Sequence, residues 1–163
     1  RMDRDKGAVV AARAFAEAGI GLDMVGPCME RAVVEEVCQI EKEASRSVHW
    51  HGELLEEQKL AYLQSAEGMF YWPGFPNGIS EAHSMKVVEA LCCGLPPVLK
   101  DIEPYREVFS NFCIYTQSPQ VNAVTQLWAQ DSDRGPLSSY ARARWGLDVI
   151  SERIERELQE ALE

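Results

Sequence analysis

No cluster of lysine and arginine in this sequence is long enough to follow a phosphate backbone. Sixteen basic residues stand against 26 acidic ones, a net charge of −10, and that balance argues against nucleic acid as a partner. No stretch approaches the roughly 20 apolar residues of a membrane-spanning helix, and no signal-peptide core opens the chain. Zinc-type cysteine pairs are missing too. Cys28, Cys38, Cys92, Cys93 and Cys113 are odd in number and lack Cys-x-x-Cys spacing, so reduced thiols in a cytoplasmic protein are expected. What remains is ordinary globular material, 163 residues of which 46% are hydrophobic and 26% charged, enough for one domain with a real core.

Apolar spacing sets out an alternating order of elements. Val9, Ala12, Phe15 and Ala16 make a helical face over about 6–18, with Gly19 as its stop. Residues 22–26 read as a strand, and 29–44 as a helix with Val33, Val37 and Ile40 inward. A strand at 47–52, a helix at 56–66, a strand at 69–72 and a helix at 81–93 follow. Then come a strand at 97–99, a short helix around Tyr105 and a strand at 112–116. Such alternation predicts an α/β Rossmann-like three-layer sandwich on a parallel sheet, with ligands bound beyond the carboxyl ends of the strands. Its first strand should precede Arg1 and lie outside this sequence. We take 1–118 as the core and 119–163 as C-terminal helices: 122–130, 138–145 and a charged amphipathic helix from Gly146 to Glu163, joined by a polar linker at 131–136.

The segment from Gly78 to Leu99 carries the chemistry. A short apolar and aromatic strand ends at Pro73, turn-forming residues follow, Ser80 suits a helix N-cap, and Gly94 and Pro96 stop the helix. Glu81 and Glu89, eight positions apart, would be separated by about 12 Å along a helix axis and about 80° around it. They cannot share one proton or one metal ion. They can hold the two ends of an extended ligand whose anionic middle lies over the helix N-terminus, where amides and the helix dipole favour phosphate. Both glutamates could instead be solvated residues of an amphipathic helix. Glu89, however, stands between Val88 and Ala90 in an apolar stretch, where an unpartnered carboxylate is costly.

Pro73, Gly74, Glu81, Glu89, Ala90, Cys93, Gly94 and Pro96 together resemble the donor-binding segment of retaining glycosyltransferases of the GT-B class. That group contains sucrose synthases, glycogen synthases and bacterial lipopolysaccharide and mannosyl transferases. Residues 1–26, with Arg1, Lys6 and Gly7, resemble the opening of the family's second domain, and 48–70 resemble the strand, glycine and helix that lead into its glutamate segment. The resemblance implies one half of a GT-B fold whose partner is the missing N-terminal GT-B domain. It implies transfer of a hexose from a nucleoside diphosphate sugar, with a UDP-sugar favoured over a GDP- or ADP-sugar, to an acceptor that is a glycan, a lipid or a small molecule. No cofactor or metal is then required. Arg1 and Lys6 would meet the diphosphate, Glu89 the ribose, Glu81 the transferred sugar as the catalytic carboxylate, and main-chain groups from Gly52 to Leu54 the base. His83, Ser84 and Met85 complete the donor site. The last helix would either cross to the missing domain or pack on this one alone, and the full-length protein would be cytoplasmic or peripheral to the membrane.

Where the family usually has a glycine pattern after the first glutamate, this sequence has Ala82, His83 and Ser84. That departure also admits a degenerate domain that serves assembly, and similarity of architecture leaves a sugar-nucleotide 2-epimerase as a second enzyme reading. Asp3-Arg4-Asp5 and Asp131-Ser132-Asp133 match the Asp-x-Asp metal signature of the other main glycosyltransferase architecture, but neither ends a buried strand. His49 and His51 read as partly buried strand histidines. Trp50, Trp72, Trp128 and Trp145 read as packing residues.

Overall fold

Among the described residues five strands and seven helices form close to where the apolar spacing places them, and every strand pairing is parallel. The computed structural model describes residues 2–44, 47–74, 84–119, 121 and 135–162. A single 3-10 turn, Arg4–Lys6, leads through Gly7 into α1 (Ala8–Ala18), whose end is closed by Gly19 in the left-handed conformation (φ 67°). After β1 (Leu22–Val25), α2 (Arg31–Glu43) buries Val33, Val37 and Ile40, one face of a 3.6-residue period. Next come β2 (Val48–Gly52), α3 (Glu56–Ser65), β3 (Met69–Tyr71) and α4 (Met85–Cys92). The side chain of Gln58 turns back to accept the Leu55 N–H (3.0 Å) and fixes the start of α3.

β4 (Pro97–Lys100), α5 (Glu103–Phe109) and β5 (Ile114–Thr116) complete the alternation, and α6 (Gly135–Trp145) and α7 (Leu147–Leu162) end it. The expected helix at 122–130, with Trp128, lies outside the described residues, as does the second Asp-x-Asp. The linker expected to run to Pro136 is shorter, because α6 already begins at Gly135.

The sheet departs from the expected single layer. Among the described residues β1 pairs with β2 alone, and β3, β4 and β5 form a second sheet in that order. Each sheet has its own core. Ala8, Ala12, Phe15, Met24, Val33 and Val48 fill the first, between the β1–β2 pair and α1 and α2. Tyr71, Val87, Leu91, Leu99, Tyr105 and Phe109 fill the second, under α4 and α5. α6 belongs to the second core: Ala141 is fully buried there, the Ser138 hydroxyl donates to the Cys92 carbonyl (2.7 Å), and Tyr140 stacks on Phe112.

Contacts at one end join the two halves. Phe15 of α1 meets Phe70 of β3 edge to face, with centroids 5.3 Å apart. Arg4 and Arg13 both donate to the Glu36 carboxylate (2.8 and 2.7 Å), tying the 3-10 turn and α1 to α2, and Arg13 holds that carboxyl below its ordinary pKa. The tightest approach is at Gly7, where φ is +78° and a Cβ would lie 1.7 Å from the Trp72 carbonyl oxygen.

Gly7→Ala is therefore expected to destabilise the chain by about 3 kcal/mol in urea unfolding, through backbone strain and the clash together. Gly21→Ala, where a Cβ meets nothing within 4 Å, should stay within about 0.5 kcal/mol. Equal midpoints for the two variants would refute the close approach.

Candidate functional site

The carboxyl ends of the strands are laced together by main-chain hydrogen bonds. Met2 N–H donates to the Pro27 carbonyl just after β1 (2.7 Å), Gly74 N–H to the Asp5 carbonyl just after β3 (2.9 Å), and Gly26 N–H to the Gly52 carbonyl at the end of β2 (2.8 Å). Residues 2–7 thus span the edge from β1 to β3, which sets Lys6 between them. Gly52 adopts φ +72° in open space, so glycine serves the backbone conformation there and no close neighbour.

Asp3, Asp5 and Glu30 bring carboxylate oxygens within 4.8 Å of one another, the one grouping of three potential metal ligands among the described residues. Two of them have structural work. Asp3, 3% exposed, accepts the Met29 N–H (2.9 Å), and Glu30 accepts the Arg4 N–H (2.9 Å). The first Asp-x-Asp fastens the 3-10 turn to the loop before α2.

Lys6 and Glu89 line one cavity of about 630 Å³, together with Lys59 and Lys86. α4 presents Glu89 because Val87, Val88, Ala90 and Leu91 take the buried positions around it. The Glu89 side chain is 40% exposed and accepts a hydrogen bond from Lys59 of α3 (3.3 Å), so its apolar neighbours in sequence do not leave it unpartnered. Lys59 also pairs with Glu56 (2.7 Å). Its pKa is raised first by Glu56 and then by Glu89, against desolvation. Lys86 lies over the Tyr71 ring, 5.1 Å from the centroid.

The N-terminus of α4 opens at Ser84, which is 1% exposed and whose Oγ has no hydrogen-bond partner among the described residues. Its carbonyl receives Val87 N–H (3.0 Å), and the amides of a helix's first turn lack partners within the helix. Met85, at the first helical position, is 63% exposed. First-turn amides at a helix start suit an anion, but the Ser84 hydroxyl is buried, and neither Ser84 nor Met85 lines the cavity that Lys6 and Glu89 share.

Several expectations need correction or fall elsewhere. The N-cap is Ser84 and not Ser80, and α4 begins at Met85 and not at Glu81, so the helical rise counted from Glu81 does not apply. Glu81 and His83 lie outside the described residues, as do Ser80 and Arg1. His49 pairs with Glu41 (3.1 Å), and His51 with Asp23 (2.6 Å) and the Tyr62 hydroxyl (3.3 Å). Trp50 donates to the Gly26 carbonyl (3.1 Å), Trp72 is buried, and Trp145 packs on Phe109. Nothing in the sequence alone singles out Lys59, and Lys86 carries only a weak signal. Lys86 stands three positions before Glu89, a helical neighbour that the spacing could have revealed, whereas Lys59 reaches Glu89 only through tertiary packing.

The model of the family described as "Glycosyl transferases group 1" matches residues 1–142. No curated protein matches the chain. Among solved structures it is similar to AviGT4, a glycosyltransferase involved in avilamycin A biosynthesis, at 24% identity and TM-score 0.78, over 97% of this chain and 48% of that one. It is also similar to Anabaena HepE. The HepE structure with UDP and glucose aligns at 17% identity and TM-score 0.79, over 98% of this chain and 46% of that one. The one with UDP-glucose aligns at 18% identity and TM-score 0.79, over 98% and 47%. At these identities the likeness is one of fold, and the chain spans about half the length of these structures.

The Lys59–Glu89 pair lends itself to a double-mutant cycle. With the two side chains 30% and 40% exposed, Lys59→Met and Glu89→Gln should couple by no more than about 1 kcal/mol in urea unfolding. A coupling of about 3 kcal/mol would mean that the pair is sealed from water.

Proposed function

The chain belongs to the glycosyl transferases group 1 family, and from that premise we propose that residues 1–163 are the donor-binding half of a retaining hexosyltransferase. The donor in this reading is a nucleoside diphosphate sugar, with uridine favoured. The observation that carries it is the convergence of Lys6 and Glu89 on one cavity. HepE, which has the same fold, has been solved with UDP and with UDP-glucose, and this supports the choice of base.

Transfer breaks the anomeric bond and leaves a nucleoside diphosphate, so the site must stabilise negative charge that grows on the leaving oxygens. Arg1 and Lys6 would supply cations, and the first amides of α4, which follow Ser84 and include that of Met85, would supply a cradle for the diphosphate. The scheme calls for no metal. Glu89 would accept hydrogen bonds from the ribose hydroxyls, which would displace or share Lys59. Glu81 would face the transferred sugar beside His83, and main-chain groups from Gly52 to Leu54 would meet the base.

The acceptor would be bound by the other half of the enzyme, so this chain alone should bind donor weakly and turn over little. A cytoplasmic setting fits the five free cysteines, which would stay reduced there.

Calorimetry with uridine, guanosine and adenosine diphosphates tests the reading. We expect UDP to bind best, and Glu89→Gln and Lys6→Met each to weaken it by about tenfold or more, near 1.4 kcal/mol. Silence from all three nucleotides, or full affinity in Glu89→Gln, would overturn the proposal.

A further inference from the structure

Two side chains of α4 line the cavity that Lys6 shares, Lys86 and Glu89. They stand three positions apart on one face of the helix, about 4.5 Å along its axis, with the cation nearer the helix start. Val87, Val88, Ala90 and Leu91 are buried around them, so this stripe is what α4 offers to a molecule in the cavity.

Lys86 stands at the less favourable end of its helix. It is the second residue of α4, where the helix dipole is positive and disfavours a cation, and α4 has no acidic residue in its first turn. Half-buried, it leans over the ring of Tyr71, with Nζ 5.1 Å from the centroid, and Tyr71 is the last residue of β3. The contact holds the ammonium beside the carboxyl end of that strand, the edge along which residues 2–7 and Lys6 run. A phosphate in the cavity turns this placement to advantage: it accepts from the ammonium and lies toward the positive end of the dipole.

We propose that Lys86 is a further donor-binding residue, one that reads the second phosphate and makes the site selective for a nucleoside diphosphate over a monophosphate. This rests on the reading of the cavity as the donor site. With the ribose against Glu89, the first phosphate comes next and the second lies beyond it, toward the helix start and Lys86. Lys6 meets the same diphosphate from the 3-10 turn. A second phosphate adds charge for the ammonium and nothing for Glu89, so Lys86 governs selectivity among phosphates and Glu89 affinity for the nucleoside.

Calorimetry of the 163-residue chain with UDP, UMP and uridine tests the assignment, with Lys86→Met and Lys86→Arg beside the unmodified protein. We expect Lys86→Met to weaken UDP by about tenfold, UMP by less than about threefold and uridine not at all. Lys86→Arg should keep the preference for UDP, because the guanidinium retains both the charge and the contact with the Tyr71 ring. Equal weakening of all three ligands by Lys86→Met would overturn the inference, since the lysine would then only support the fold. Unchanged UDP affinity in that variant would overturn it too. If UDP fails to bind the unmodified chain, the proposed function falls and the inference with it; if Glu89→Gln loses UDP and Lys86→Met does not, the inference falls alone.

Discussion

A glycine without room for a side chain holds this molecule together. Gly7 lets the backbone entering α1 lie against the Trp72 carbonyl, and through it residues 2–7 cross from the end of β1 to the end of β3. Two cores that share no strand ladder are thereby kept in register at one edge. The aromatic contact of Phe15 with Phe70 adds about 1 kcal/mol beyond its burial, whereas the exposed Lys59–Glu89 pair adds less. The carboxyl edge, where Lys6 stands, is the end at which main-chain hydrogen bonds join the two halves.

The environment of Glu89 resolves a tension visible in its neighbours. A carboxylate inside an apolar run is costly when it is buried alone. Here the helix turns that one position outward to Lys59 while Val88 and Ala90 go inward. The pair is weak enough for hydroxyl groups to replace either partner without a large penalty. A strong buried bridge at the same place would resist that exchange.

Much of the architecture could be read from local signals, and the reason is visible residue by residue. Val33, Val37 and Ile40 specify one helical face regardless of context, and Gly19 is among the few residues that adopt its left-handed cap without strain. The start of α4 could not be fixed from sequence, because Ser80 and Ser84 are equally good caps there and only the fold chooses between them. The division into two sheets was not legible, since strand pairing is set by long-range contacts that no window of residues contains. Of the candidate site, Lys6 and Glu89 stand out in the sequence, and the two line one cavity. Lys59 was not, because nothing in its own helix points to α4.

The seat of α6 on α4 has a mechanical consequence. Ser138 bonded to the Cys92 carbonyl, and Ala141 buried against the same helix, couple the tail of the chain to the far end of the element that presents Glu89. Bulk added beyond Trp145 would press first on the C-terminal end of α4, because Ser138 and Ala141 seat the tail on that helix. The tail thus packs on the helix that carries Glu89 from the end opposite its first turn, so that changing the tail need not touch the cavity lining.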